Sequence, residues 1–524
     1  MILPQLHAPV RLQALVIAAV AIAAVAGAGE PHPSNRTITV TRLDDPVPDG
    51  CSPDDCSLRE AVILANSVAP ATVRLAAGTY RLELEGRYED ESMRGDLDIT
   101  ANVSIVGAGS SLTKILAPHQ DRVIEVPPSG TATISHLAVG GVWYSWPPID
   151  CGGGIRNDGG ARLVDVLIEN ITFRGSGAGV CNQGVLEAEQ VTIISARAAF
   201  AGTGGALYNS GTATVTHSAL LFSQAEIGHG GAVDNHGTLL VEDSTISGNG
   251  TNGPFGDRTG GGIHSEGSLT LRNVTVSGNR TEALPTSIGP TDSRGGGLYL
   301  RGDANLTNVT ITGNESETTA GGLYYGGGGT LTLVNTIIAG NTGGDCEGVI
   351  VSGGHNIDGD GSCGLGAAGD MPNTDPLLAP LADNGGLTQT HALLAGSPAI
   401  DAGDEAACPP GDQRGYLRPA GAGCDIGAFE FDAEPPSPSV SASPTASAAP
   451  VVQGDANCDG HVDAMDALVA LRLAAGLNTE PACLIAANVD CSLAVDAVDV
   501  LLILRYVAAL PVTPPPGCPQ IGAP

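Results

Sequence analysis

The densest set of chemically capable residues lies near the C-terminal end. Asp455, Asn457, Asp459, His461, Asp463 and Asp466 fall at positions 1, 3, 5, 7, 9 and 12 of a loop. Side-chain oxygens at 1, 3, 5, 9 and 12, with a backbone carbonyl at 7, can surround one hard cation, and calcium accepts that many oxygens at flexible angles. Gly460, at position 6, permits the sharp bend the loop needs. A second copy runs through Asn488, Asp490, Ser492, Ala494, Asp496 and Asp499. There Asn488, Ser492 and Leu493 stand where two acids and a glycine are expected, so its affinity should be weaker. Each loop leads into an apolar run, 467–474 and 500–507, that reads as a helix. Calcium is the expected cofactor.

A weaker set lies mid-chain. His229, Asp234 and His264 are candidate catalytic groups, since a carboxylate and imidazoles can move protons. Gly228-His229-Gly230 resembles one motif of the polygalacturonase-type hydrolases, but their paired Asp and Arg-x-Lys step are not found. Inverting hydrolysis needs two carboxylates about 6.5 to 9.5 Å apart, and Asp234 with Glu242 or Asp243 is the nearest such offer. A lyase would need an acid cluster with an Arg or Lys base, and none stands out. If there is catalysis, it is that of a glycosidase or a polysaccharide lyase.

The element that must position these residues is a repeat. Seven segments start with a small-residue step and an aliphatic residue: Ile155, Val180, Leu207, Val233, Ile263, Leu298 and Leu323, spaced 25, 27, 26, 30, 35 and 25 apart. Alternating runs such as Leu269-Thr-Leu271 follow, which read as strands with one buried face. Short strands at this period stack as coils of a β-solenoid, each too thin to bury its own face alone. Asn157, Asn182, Asn209 and Asn235 form one expected Asn ladder; Asn249, Asn279, Asn314 and Asn341 form another. With the aliphatic residues inward, the next residues point outward: Arg156, Cys181, Tyr208, Asp234, His264, Tyr299 and Tyr324. Arg156, Tyr208, Asp234, His264, Tyr299 and Tyr324 are therefore a candidate ligand face, where Tyr could stack on sugar rings. Insertions at 250–259 and 280–294 could wall it.

These repeats resemble the Gly-Gly-x-Ile/Leu repeats of bacterial right-handed parallel β-helices, including pectate-lyase-like and polymorphic outer-membrane proteins, over residues 101–345. The resemblance implies a mainly β, right-handed parallel β-helix. Cys56-Ser-Leu-Arg-Glu-Ala61 is similar to the signature of the CSLREA domain, which implies an N-terminal cap over 29–100. Ser57 and Glu60 have capping-box spacing, so a short helix is expected there. Asp375-Pro-Leu-Leu378, Asp383-Asn-Gly-Gly386, Gly396-Ser-Pro-Ala-Ile-Asp401 and Cys424-Asp-Ile-Gly-Ala-Phe-Glu430 resemble the choice-of-anchor Q domain, giving a C-terminal cap over 346–431.

Residues 432–452 are Pro, Ser, Ala and Thr without period, the composition of an extended linker. Beyond it, 453–522 resembles a type I dockerin, a small helical module with EF-hand-like loops. Such modules bind cohesin domains, which implies a cohesin-type partner on a scaffold or cell-surface protein. In that family the two residues before position 12 and basic helix residues contact the partner; here these are Ala464, Met465, Arg472, Ala497, Val498 and Arg505.

Arg11 followed by an apolar run at 12–26 and Ala26-Gly27-Ala28 reads as an export signal over 1–28. Cysteines in an exported chain read as disulfides; sequential pairing is expected for Cys51 with Cys56, Cys151 with Cys181, Cys346 with Cys363, and Cys408 with Cys424. A net charge of −33 argues against nucleic acid as a partner. The chain is thus expected to be secreted or surface-attached, with no membrane span once the signal is removed. Two functions stand side by side: a non-catalytic β-helix that binds glycans or surfaces, and a polysaccharide-degrading enzyme carried by its dockerin.

Overall fold

The computed structural model describes residues 36–435 except 87–88, 90, 119–121, 143–150, 201, 227, 254–256 and 283–291. In the tail it describes 452–456, 461–474, 487–489, 495, 497–508, 510–512 and 520–521. The chain divides into two compact units, 1–437 and 438–524.

The first unit is a parallel β-solenoid, as the repeat implies. Each coil starts with a short strand such as Ile155–Asn157, Val180–Asn182, Leu207–Asn209 or Val233–Asn235, and these form a ten-stranded sheet. A longer stretch such as Thr238–Ser247 or Ser268–Ser277 enters the main sheet, and a two-residue strand such as Gly250–Thr251 closes the coil in a six-stranded sheet. The strands pair in parallel, and the coils of the repeat stack in register: Val180 lies on Leu207, Leu207 on Val233, Val233 on Ile263. The aliphatic residues at these positions are buried in one continuous core with Leu163, Leu239, Leu271 and Val276.

Both Asn ladders form. Asn157 Nδ2 donates to Asn182 Oδ1, Asn182 to Asn209, and Asn209 to Asn235, each at 2.7 Å. On the far side Asn249 donates to Asn279, Asn279 to Asn314, and Asn314 to Asn341, at 2.9 to 3.0 Å. A third column bends the long strands: Asp165, Asp243 and Asn273 all have φ near +50° within them, a region that Asn and Asp tolerate better than most residues.

The N-terminal end carries helix α1, Leu58–Val68, with a complete capping box between Ser57 and Glu60. α1 packs on the first strands of the main sheet. Its Arg59 is fully buried, paired with Asp45 at 2.7 Å and donating to the carbonyls of Ser92, Gly95 and Asp96. Cys51 is bonded to Cys56, Cys151 to Cys181, Cys346 to Cys363 and Cys408 to Cys424. Cys458, Cys483, Cys491 and Cys518 lie outside the described residues.

At the other end, Cys346–Glu347, Val351–Gly354, Ile357–Asp358 and Met371–Pro372 add further strands to the stack. The chain then doubles back as a strap along the strand-bend column. Thr388 donates to the carbonyl of Asp243, Asn273 to that of Gly411, and Asn308 to those of Asp425 and Gly427. No helix among the described residues is long and apolar enough to cross a membrane.

The second unit holds α2, Ala464–Ala474, and α3, Ala497–Val507. They pack through Ala467, Ala470, Val500 and Ile503. The linker lies mostly outside the described residues, as do residues 1–35.

Candidate functional site

The outward column of the ten-stranded sheet runs Asp98, Glu125, Arg156, Cys181, Tyr208, Asp234, His264, Tyr299, Tyr324 and Glu347, each in register with the next. A second column flanks it, just before each glycine step. It includes Cys151 bridged to Ser176, His229 bridged to Thr259, and Thr259 paired with Arg294, which bridges to Thr319. Thr259 and Arg294 are the last residues of the two insertions, whose middle parts, 254–256 and 283–291, lie outside the described residues. The middle of the main column is buried: Asp234 is 1% exposed, His264 3% and Tyr299 9%.

The structure brings His229, Asp234 and His264 together. The rings of His229 and His264 are 4.4 Å apart, and the Thr259 hydroxyl lies between them, 2.5 Å from His229 Nδ1 and 2.7 Å from His264 Nδ1. Asp234 Oδ1 lies 3.2 Å from His236 Nε2, and His236 Nδ1 lies 3.7 Å from Glu266. His236 and Glu266 were not among the candidates from sequence. They occupy the middle of the Asn-His-Gly and Ser-Glu-Gly turns, and that turn position, read down the repeat, was the signal for them.

Burial drives the His264 imidazole down to about 3, so it is neutral; Asp234 opposes this, while His229 and His236 assist. Burial alone would raise the Asp234 carboxyl. The hydrogen bond from His236, the neighbouring His264 and the Thr203 hydroxyl hold it below the ordinary carboxylate value instead. Its hydrogen bond to Asp234 raises His236 above the ordinary imidazole value. Asp234 is therefore an ionised, covered carboxylate.

Further along, the rings of His264 and Tyr299 stack at 4.9 Å and those of Tyr299 and Tyr324 at 5.1 Å, both within 7° of parallel. In-register stacking thus turns the ring faces toward one another along the solenoid axis and leaves edges and hydroxyls outward. Arg156 pairs with Asp158 at 2.8 Å, and the Tyr208 ring leans on His236.

Two acidic triads among the described residues lie close enough to share a cation. In the first, Asp96, Asp98 and Glu125, Arg122 pairs with both Asp96 and Glu125. In the second, Asp345, Asp358 and Asp360, the carboxylates accept backbone N–H groups of Asn341, Gly361, Cys363 and Ser362.

In the tail, Asp455 is buried, and Asp466 and Asp499 are fully buried at the third positions of α2 and α3. Asp466 Oδ2 accepts the Asp463 N–H at 2.6 Å. His461 is exposed and Asn488 partly so. Asn457, Asp459, Asp490, Ser492, Ala494 and Asp496 lie outside the described residues. Ala464 and Met465 open α2 and Arg472 lies in its last turn; Ala497 and Val498 open α3, and Arg505 lies in its last turn. Val498 and Arg505 are exposed.

Fold and site together define a disulfide-bonded parallel β-solenoid followed by a second unit whose described residues include two helices. No protein-family model matches the chain, and no curated protein matches it. Among solved structures it is similar to the pectate lyase Pel9A, 15% identical over 76% of this chain and 98% of that one, with a TM-score of 0.34. It is also similar to the catalytic domain of a GH87 α-1,3-glucanase, 12% identical over 62% and 66% with a TM-score of 0.26. A third is ORF18 of Geobacillus virus E2, 14% identical over 61% and 58% with a TM-score of 0.20. At these scores the likenesses carry no conclusion about activity.

Proposed function

We propose that this is an extracellular, non-catalytic β-solenoid that binds carbohydrate or another extended surface and is docked to a cohesin-type partner by a calcium-loaded helical module. The observation that carries the reading is the tail's doubled unit. Two acidic loops each lead into a helix with a buried Asp at its third position, and the helices pack as a pair. Hard oxygens dominate the donor set, which suits calcium. Leu468, Leu471, Val498, Leu501 and Leu504 stay exposed on these helices. Exposed apolar side chains on a helix pair are what a protein partner can cover.

Four disulfides and the apolar leader support export. The resemblances to CSLREA and choice-of-anchor Q domains fit a capped, exported solenoid. The non-catalytic half is supported by the burial of Asp234 and His264, which covers both side chains.

Calcium titrated calorimetrically into chelator-stripped full-length protein should show saturable binding that Asp466→Ala removes, with calcium-dependent capture of a cohesin domain. Absence of calcium heat in the folded protein would refute the docking half. New reducing ends or unsaturated uronates from pectin, xylan, glucan or alginate, lost in Asp234→Asn, would overturn the non-catalytic half.

A further inference from the structure

The outer face of the six-stranded sheet holds a residue that the fold does not explain. At the turn before that sheet, one residue per coil takes a left-handed conformation: Asn170 (φ 56°), Ser195 (56°), Phe222 (49°), Gly248 (69°), Gly278 (65°) and Gly313 (66°). Glycine and Asn suit this conformation, whereas a bulky aromatic there is an outlier. Burial offers no compensation, because Phe222 is 59% exposed. Its ring overhangs the next coil: a Cβ at Gly248 would fall 2.6 Å from Phe222 Cδ1 and Cε1.

Two residues further on, the outward column reads Arg197, Gln224, Gly250, Arg280 and Glu315 in register. Gly250 leaves a gap between Gln224 and Arg280, which stand two strand spacings, about 10 Å, apart. The gap and the glycine row merge into an open pocket of about 210 Å³. Gln224, Arg280, Glu282 and Glu315 supply its polar groups, and Arg280 pairs with Glu282 at 2.9 Å.

We propose that this pocket is a subsite for one pyranose unit of a neutral polysaccharide, with Phe222, whose ring lies over the lining residue Gly248 at the rim, as the apolar platform. A sugar ring offers an apolar C–H face for an aromatic ring and hydroxyls for amide, guanidinium and carboxylate groups. One Arg faces two Glu in the pocket, on a chain of net charge −33, which disfavours acidic polymers. The site lies on a different sheet from the His264–Tyr324 column and deepens only the carbohydrate half of the proposed function.

Affinity electrophoresis and calorimetry of the intact chain with xylan, mannan, mixed-linkage β-glucan and polygalacturonate test it. At least one neutral polymer should bind. Phe222→Gly should weaken that binding about ten-fold or more while the melting temperature holds or rises, since glycine suits the turn better. Phe222→Tyr should retain binding. Unchanged binding by Phe222→Gly, or preference for polygalacturonate, overturns the site. Binding lost in Tyr324→Ala but kept in Phe222→Gly overturns the site and leaves the carbohydrate reading standing. Failure of the folded protein to bind any of the polymers overturns both and leaves the calcium half untouched.

Discussion

Cys151 and Cys181 are bonded diagonally, from the flanking column of one coil to the main column of the next. The same diagonal carries His229 onto His264, Arg294 over the Tyr324 ring, and Thr319 to Glu347. One geometric step is thus filled by a covalent bond, a ring pair, a cation–π contact and a hydrogen bond. The covalent version closes a loop 30 residues long near the start of the repeat. Replacing both Cys151 and Cys181 by Ser should cost about 3 to 4 kcal/mol in guanidinium unfolding. His229→Ala should cost less, about 1 to 2 kcal/mol, as it removes a ring contact and one hydrogen bond to Thr259. Equal losses would show that the diagonal is not graded by its chemistry.

Asn209 is a mid-ladder rung with both neighbours dependent on it. Its Oδ1 accepts from Asn182, and its Nδ2 donates to Asn235 and to the Thr238 carbonyl, with the three Asn side chains fully buried. Asn209→Ala strands a donor above and an acceptor below, so about 2 to 4 kcal/mol should be lost. Asn235→Ser should cost less, because Ser265 already accepts from Asn235 at 2.9 Å and shows that a hydroxyl fits the rung. Thermal or denaturant midpoints of the two variants decide it; the reverse order would mean the ladder is not what holds this turn.

The imidazoles near Asp234 set opposite pH limbs. His264 is lowered to about 3 in the fold from 6.5, so its stability contribution is present above 6.5 and fades as pH falls toward 3. His236 is raised, so its contribution is full below 6.5 and is lost as pH rises through its raised value. Titration followed by NMR should show His236 charging above pH 6.5 and His264 still neutral at pH 5. Asp234→Asn should bring His236 back down, since that hydrogen bond is the main cause. In His264→Phe the acid limb of the stability curve should flatten. A His264 that charges near pH 6 would contradict its burial.

What the sequence made legible follows physical period. The aliphatic steps, both Asn ladders and the Ser57–Glu60 capping box recur or sit at fixed local spacing, so they could be read directly. The strand-bend column was not, because Asp165, Gln190, His217 and Asn273 share a conformation and not a chemistry. His236 and Glu266 hid in turn positions where any polar residue serves. The strap was invisible for another reason. Gln413 donates to Thr245, 168 residues away, and accepts from Thr275, 138 away. No local pattern encodes such partners.

The strap is held by a buried ion pair, and that makes it testable. Arg418 and Glu430 lie 3.0 Å apart, both fully buried. Arg418 also donates to the carbonyls of Asp425 and Gly427, the same carbonyls that Asn308 of the solenoid binds. Gly427 N–H in turn donates to the Asn335 carbonyl. The ion pair therefore shapes the turn that clasps two successive coils. Glu430 Oε1 accepts the Ala420 N–H and Oε2 accepts Asp425 N–H and Arg418, so Glu430→Gln keeps only one of these two acceptors and removes the charge paired with Arg418, which should cost about 3 to 5 kcal/mol. The loss should be local: limited proteolysis should cut within 375–431 while amide protection in the Val233 and Ile263 strands persists. If those strands lose protection together with the strap, the strap is an integral part of the solenoid's cooperative unit and not a separable clasp.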